Sequence, residues 1–275
     1  FAPDHLERHK TLTHYHSAKQ RVYKNCETAV WNQDEPFTFP SYKVNQVISF
    51  GSKMPSSAEA FGLIPRNNSI WLAQGETLLF KTQDLIIQGQ HNYLNMLAAL
   101  AVTHSLVKCS ISSLATACKT FKGLPHRLEW IGRAKGITWI NDSKATNSHA
   151  SQAALSSFSE KHSKKIVLIA GGVRKEGDTF DKLLPLLEKY IKQFILIGKD
   201  AFFLKQAFKE IAPIEITTSL QKAAKIASKY ADSGDTIMFS PACSSQDMFA
   251  DYSERGECFK KAVKLILNVQ EFYDK

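Results

Sequence analysis

The chain has 275 residues, room for one large domain or two ordinary ones, with 44% hydrophobic and 22% charged residues. That balance describes a globular chain with real cores, and no window approaches the roughly 20 apolar residues of a membrane span. The net charge of +9 favours anionic partners; scattered lysines, with no RNA-binding aromatic box or zinc-finger spacing, set nucleic acid behind phosphorylated small molecules.

In chain order, a helical pattern runs through Tyr15, Ala18, Val22 and Tyr23. Val44 to Phe50 reads as a strand. Ile70–Ala73 and Thr77–Phe80 read as a hairpin about Gln74-Gly75-Glu76. Asn92 reads as the N-cap of a helix with Leu94, Leu97, Ala98, Ala101 and Val102 on its apolar face, and a second helix spans Ser113 to Phe121. Lys122-Gly123-Leu124-Pro125 breaks the pattern and divides the chain into domains 1–123 and 124–275. The rhythm then alternates. Strands are expected at Ile137–Ile140, Lys165–Ala170, Gln193–Ile197, Ile214–Thr217 and Thr236–Ser240. Helices are expected near His149–Phe158, Phe180–Tyr190, Ala201–Ile211, Leu220–Tyr230 and Gly256–Val269. Apolar strands separated by amphipathic helices predict a mostly parallel, doubly wound sheet with its strand C-termini on one edge.

That edge collects the chemistry. Asn141-Asp142-Ser143-Lys144-Ala145-Thr146-Asn147 follows one strand, and Lys175 and Ser245 follow two others. A polar run between a strand and a helix is either an ordinary capped loop or a ligand site at the carboxyl edge of the sheet. Asp142 can accept ribose hydroxyls, Arg127 offers a planar donor fork for phosphate or ribose oxygens, and Asn92 and Asn95 lie on adjacent turns of one helix start. The five cysteines are odd in number and scattered without metal spacing, so they read as reduced thiols, with Cys243 a small buried residue.

The strings His91-Asn92-Tyr93-Leu94-Asn95, Leu124-Pro125-His126-Arg127-Leu128-Glu129, Asn141 to Asn147, and Ser240-Pro241-Ala242-Cys243-Ser244-Ser245 together resemble the Mur ligases. These are the ATP-dependent amide-forming enzymes of peptidoglycan synthesis, and the wording is similar to their D-glutamate-adding branch. The resemblance implies an α/β chain, the rear part of a Mur-ligase central ATPase domain followed by a Rossmann-like doubly wound C-terminal domain. It implies a cytoplasmic, monomeric enzyme with the substrates UDP-N-acetylmuramoyl-L-alanine, D-glutamate and ATP, and with two Mg²⁺ ions. His5, Lys19 and Lys144 would be catalytic, with His5 and a carbamylated Lys19 on the metal. The carbamate needs a neutral amine, hence burial or nearby cations around Lys19. Asn92, Asn95, Arg127 and Asp142 would bind ATP; Asp4, Thr146, Lys175, Ser245, Gln246 and Tyr252 would bind D-glutamate. Tyr252 stands where Phe is more usual, and Gln246 where an apolar residue is. A helix beginning after Ser244-Ser245 would aim backbone N–H groups at an anion.

Two family parts do not occur in these residues: the domain for the UDP-sugar and the phosphate-binding loop. Gly171-Gly172-Val173-Arg174-Lys175 lacks the G-x-x-x-x-G-K-[ST] spacing. Truncation is the expected reason, and the 275 residues by themselves are expected to be inactive. Two other readings are a folylpolyglutamate-synthase-like ligase, against which the Asn141–Asn147 and Ser240–Ser245 strings argue, and a non-catalytic nucleotide- or partner-binding fragment.

Overall fold

The computed structural model describes residues 6–107, 109–158 and 162–267. Asp4 and His5 lie outside them, as does the end of the helix expected over 256–269. The chain divides into two compact units, Phe1–Gly123 and Leu124–Lys275.

The first unit opens with helices α1 (Leu6–His9) and α2 (Leu12–Gln20). Strands β1 (Thr28–Asn32), β2 (Gln46–Phe50), β3 (Phe61–Arg66), β4 (Ser69–Gln74) and β5 (Thr77–Lys81) form one sheet in chain order. The first three strands run parallel and the last two antiparallel. The expected hairpin is β4–β5, closed by Gly75-Glu76 with Gly75 at φ +51°. Strands β1 and β3 were not anticipated; Gly62 and Pro65 interrupt the alternation of β3. Helices α3 (Gln90–Leu106) and α4 (Ile111–Thr120) complete the unit. The α3 reading needs two corrections. Its N-cap is Gly89, and Asn92 lies within the helix with its side-chain amide donating to the Gln88 carbonyl at 2.9 Å. Its buried residues are Met96, Leu97, Leu100 and Ala101, whereas Val102 is exposed. That stripe packs on Ile48, Phe61, Leu72 and Phe80 of the sheet.

The second unit has strands β6 (Glu129–Ala134), β7 (Ile137–Asn141), β8 (Ile166–Gly171), β9 (Ile191–Ile197), β10 (Ile214–Ile216) and β11 (Thr236–Phe239) in the order β10-β9-β8-β11-β7-β6. All pairings are parallel except β6–β7, so the expected parallel sheet gains an antiparallel edge strand. Helices α5 (Ser148–Leu155), α6 (Leu184–Tyr190), α7 (Ala201–Phe208), α8 (Leu220–Tyr230) and α9 (Tyr252–Ile266) connect or follow the strands. All six residues of β8 are buried, which requires cover on both faces. Ile166, Leu168 and Ala170 pack with α5, α6 and α7, while Val167 and Ile169 pack with α8 and α9. The face of α8 is Leu220, Ala223, Ala224 and Ala227, an i, i+3, i+4, i+7 stripe started by the Ser219 cap. Strand β11 lies between β7 and β8, so the order reverses there, and the loops after these three strands meet at the switch point.

Candidate functional site

Three loops at the carboxyl edge of the second sheet are tied together by their own backbone. Val173, after β8, exchanges two hydrogen bonds with Ser244, after β11, at 2.9 and 2.8 Å. Asp178, further along the same loop, accepts from the Ser148 amide at 2.8 Å and from the Ser148 hydroxyl, so it caps the start of α5. Asn147 also caps α5, accepting from the Ala150 amide at 2.8 Å, as the polar-loop reading allowed. Thr146, Lys175 and Ser245 thus sit on loops fastened to one another. Close approach makes glycine necessary at position 172: its φ is +131°, and a Cβ there would lie 2.1 Å from the Ser244 carbonyl oxygen.

The run after β7 is largely buried. The Asp142 carboxyl is only 6% exposed; one oxygen accepts from Ser240 Oγ at 2.8 Å and the other from the Leu128 amide at 3.2 Å. Burial pushes its pKa up to about 7, against the lowering effect of Ser240, the Leu128 amide and Arg127. Ser240 also meets Ser151 Oγ at 2.9 Å. Lys144 donates its amide to the His126 carbonyl at 3.0 Å, and its Nζ lies 3.8 Å from the centroid of the Tyr252 ring. His126 is buried at φ +65°; its Nδ1 meets Asn141 Nδ2 at 2.9 Å. Asn141 also donates to Glu129 at 3.0 Å, and burial opposes the Glu129 charge while the His126 amide and Lys260 hold its pKa low.

A cleft of about 520 Å³ opens above this network, lined by Pro125, Arg127, Lys144, Tyr252, Ser253 and Glu257 among others. It brings together Arg127, Lys144, Tyr252 and Glu257: a planar cation, an ammonium on an aromatic face, and a carboxylate. Such a surface suits an anionic, oxygen-rich ligand. Cys243 is no nucleophile, because burial pushes its thiol up to about 12. All five cysteines are free.

The comparisons with known proteins cover both units of the chain. The Mur ligase middle domain matches residues 1–103, and the Mur ligase glutamate ligase domain matches residues 126–243. The chain belongs to the Mur ligase family. The UDP-N-acetylmuramoylalanine–D-glutamate ligase of Legionella pneumophila is 38% identical over 265 residues, covering 95% of this chain and 59% of that protein. The enzyme of the same name from Nitrosomonas europaea is 38% identical over 269 residues, covering 96% of this chain and 56% of that protein. The chain therefore spans somewhat over half the length of these relatives. Among solved structures, the UDP-N-acetylmuramate-alanine ligase MurC of Thermotoga maritima aligns with a TM-score of 0.67 at 20% identity, covering 96% of this chain and 58% of that one. MurF ligase of the same organism, solved in complex with ADP, aligns with a TM-score of 0.62 at 19% identity over 96% of this chain and 60% of that one.

In this Mur ligase chain the described candidates of the first unit, Lys19, Asn92 and Asn95, sit differently. Lys19 is exposed in the last turn of α2, its Nζ 5.3 Å from the Tyr15 ring centroid; the burial expected around its amine is absent. Asn95 is exposed and Asn92 half-buried. Among the described residues no group of three or more His, Cys, Asp or Glu side chains could hold a metal. His5, one of the two metal ligands that the resemblance implies, lies outside the described residues, and Lys19 as an exposed amine offers no oxygen donor. No helix begins after Ser244-Ser245 either. Ser245, 3% exposed, starts a turn in which its carbonyl accepts from Met248 and Phe249, and Gln246 on that turn is exposed. The next helix begins at Tyr252, where the Asp251 carboxylate takes the Ser253 and Glu254 amides at 2.8 Å each. An anion at that terminus would meet a carboxylate already in place.

Sequence reasoning passed over Ser143, Ser240, Asp178 and Arg255, which hold the site together. Ser143 and Ser240 lay inside quoted strings, but a serine's partners depend on residues about a hundred positions away. Nothing local marked Arg255.

Proposed function

We propose that this chain works in ATP-dependent amide-bond formation that joins D-glutamate to UDP-N-acetylmuramoyl-L-alanine. ATP phosphorylates the carboxylate of the nucleotide-sugar alanine, releasing ADP and leaving an acyl phosphate. The amine of D-glutamate attacks the acyl carbon, and the tetrahedral intermediate expels phosphate to leave the amide. The observation that carries this reading is the 38% identity, over 95% of the chain, to a relative named for that reaction.

Each residue then has a physical task. Arg127 and Asp142 meet nucleotide oxygens, Arg127 by its donor fork, Asp142 with a carboxyl that Ser240 and Leu128 orient. Lys144, seated on Tyr252, supplies a fixed positive charge where negative charge develops on the transferring phosphoryl group. Thr146, Lys175 and Ser245 receive the carboxylates of D-glutamate and leave its amine free. Asn92 and Asn95 complete the nucleotide assignment, and Asp4, His5, Lys19 and Gln246 stay assigned as the resemblance has them. An ATP-consuming reaction on such substrates belongs in the cytoplasm.

The test is phosphate release by the complete protein given ATP and UDP-N-acetylmuramoyl-L-alanine with D-glutamate, L-glutamate or glycine in turn. Release with D-glutamate alone, together with the dipeptide product by mass spectrometry, is expected. Release driven by a folate acceptor instead, or equal release with all three amino acids, overturns the assignment.

A further inference from the structure

Arg255 is 1% exposed, yet its guanidinium ends on loops. Nε donates to Ser143 Oγ at 3.1 Å, Nη2 to the Ser143 carbonyl at 2.9 Å, and Nη1 to the Cys243 carbonyl at 3.0 Å. A Cβ at Gly172 would lie 3.3 Å from Nη1, so the loop after β8 closes the third side. Ser143 immediately precedes Lys144, and Cys243 lies two residues before Ser245. The helix that carries Arg255 also carries Tyr252, whose carbonyl accepts from Ser143 Oγ at 2.8 Å. One fork therefore joins the loops after β7 and β11 to the start of α9.

These bonds all end on neutral oxygens. Burial draws the guanidinium down to about 10, so it keeps its charge at neutral pH. An apolar side chain of similar volume would avoid that desolvation, and a lysine would offer a point charge in place of five donors at fixed angles. Stability alone gives little reason to bury an arginine here; fixed loop geometry does.

We propose that Arg255 is a positioning residue that holds the loops after β7 and β11 at the separation an amino-acid carboxylate requires, and so sets affinity for the amino-acid substrate without touching it. This rests on reading the crevice as the D-glutamate site.

Arg255→Lys in the complete protein keeps the charge and loses the fork. The KM for D-glutamate is expected to rise about tenfold or more, a larger factor than the change in the KM for ATP or in kcat per folded molecule. A merely structural arginine would lower Tm and the active fraction and leave both KM values in place, and that result overturns the proposal. Ser143→Ala removes the Nε acceptor alone and serves where Arg255→Lys does not fold; about a threefold rise in the same KM is expected, and no rise overturns the proposal. Lys175→Met, run in parallel, separates the two levels. A D-glutamate effect in Lys175→Met without one in folded Arg255→Lys sinks the inference on Arg255. No effect in Lys175→Met sinks the reading of the crevice beneath it.

Discussion

Asp142, Lys144 and Ser245 in the second unit are held by their own neighbours, whereas Lys19, Asn92 and Asn95 in the first unit stand on helix surfaces. Asp142 has a partner on each carboxyl oxygen, Lys144 is seated on Tyr252, and Ser245 is buried in a tight turn. Lys19 and Asn95 are exposed, and the Asn92 side chain donates to the carbonyl one turn behind it. The difference follows from architecture. A parallel sheet delivers several strand ends to one edge, where loops bond to one another, and side chains there are fixed before any ligand arrives. A helix surface carries its side chains singly. Substitutions in the two units should therefore differ in kind: stability, pH dependence and affinity should all respond in the second unit, and stability should barely respond at the first unit's candidates.

The largest effect is expected at Gly172. With φ at +131° and the Ser244 carbonyl in the path of a Cβ, Gly172→Ala must part the loops after β8 and β11. A loss of about 3 kcal/mol or more in urea unfolding is expected, against roughly 1–2 kcal/mol for Gly123→Ala in the first unit, where a Cβ would meet an Ile87 side-chain carbon at 3.2 Å. Equal losses would deny the edge its special rigidity.

Next is the pH dependence carried by Asp142. Its pKa is raised from 3.8 to about 7 in the folded state, so folding favours the protonated form. Below pH 3.8 the carboxyl is protonated in both states and costs nothing. As pH rises toward about 7 the unfolded state gains by ionising and the folded state loses stability, levelling off above. The full amplitude is at most roughly 4 kcal/mol. Asp142→Asn should flatten stability between about pH 4 and 7, measured by urea unfolding of both proteins at each pH. An unchanged slope would place the carboxyl in a solvated environment.

A third effect concerns affinity. On the proposed assignment, replacing Lys175 by Met removes one charge-assisted hydrogen bond to a substrate carboxylate, worth roughly 1.5–3 kcal/mol, so the KM for D-glutamate should rise about tenfold or more. The KM for ATP should hold, because Arg127 and Asp142 are untouched. Parallel determination of both constants in the complete protein decides it; a comparable ATP effect would remove Lys175 from the amino-acid pocket.

The smallest effect is expected at Lys19. Being exposed, Lys19→Ala should change stability by no more than about 0.5 kcal/mol in the same unfolding assay. A larger loss would mean that its contact with Tyr15 organises α2. Turnover measured alongside would show independently whether this exposed lysine acts in the reaction.

Local pattern was enough for much of this protein. The apolar run Ile166–Ala170, the stripe Leu220–Ala223–Ala224–Ala227 and the Gly75 hairpin each carry their structure in a few consecutive residues, because burial on two faces, on one stripe or in a turn selects composition at short range. The break at Lys122–Pro125 coincides with the end of the first compact unit at Gly123 for the same local reason. The strands with mixed composition were not legible: β6, with Glu129, Gly132 and Arg133, is a strand because β7 offers it an edge. Nor was the start of α3, where Gly89 rather than Asn92 begins the helix. In the site, the residue types announced a polar, anion-seeking edge. What only the tertiary structure decided was which partners these groups have within the protein: Asp142 bonds Ser240 and Leu128, the Asp251 carboxylate the start of α9, and Arg255 Ser143 and Cys243. Those partners lie up to about a hundred residues apart, and hydrogen bonding between them depends on the positions that chain reversal gives two backbones, which no local spacing encodes.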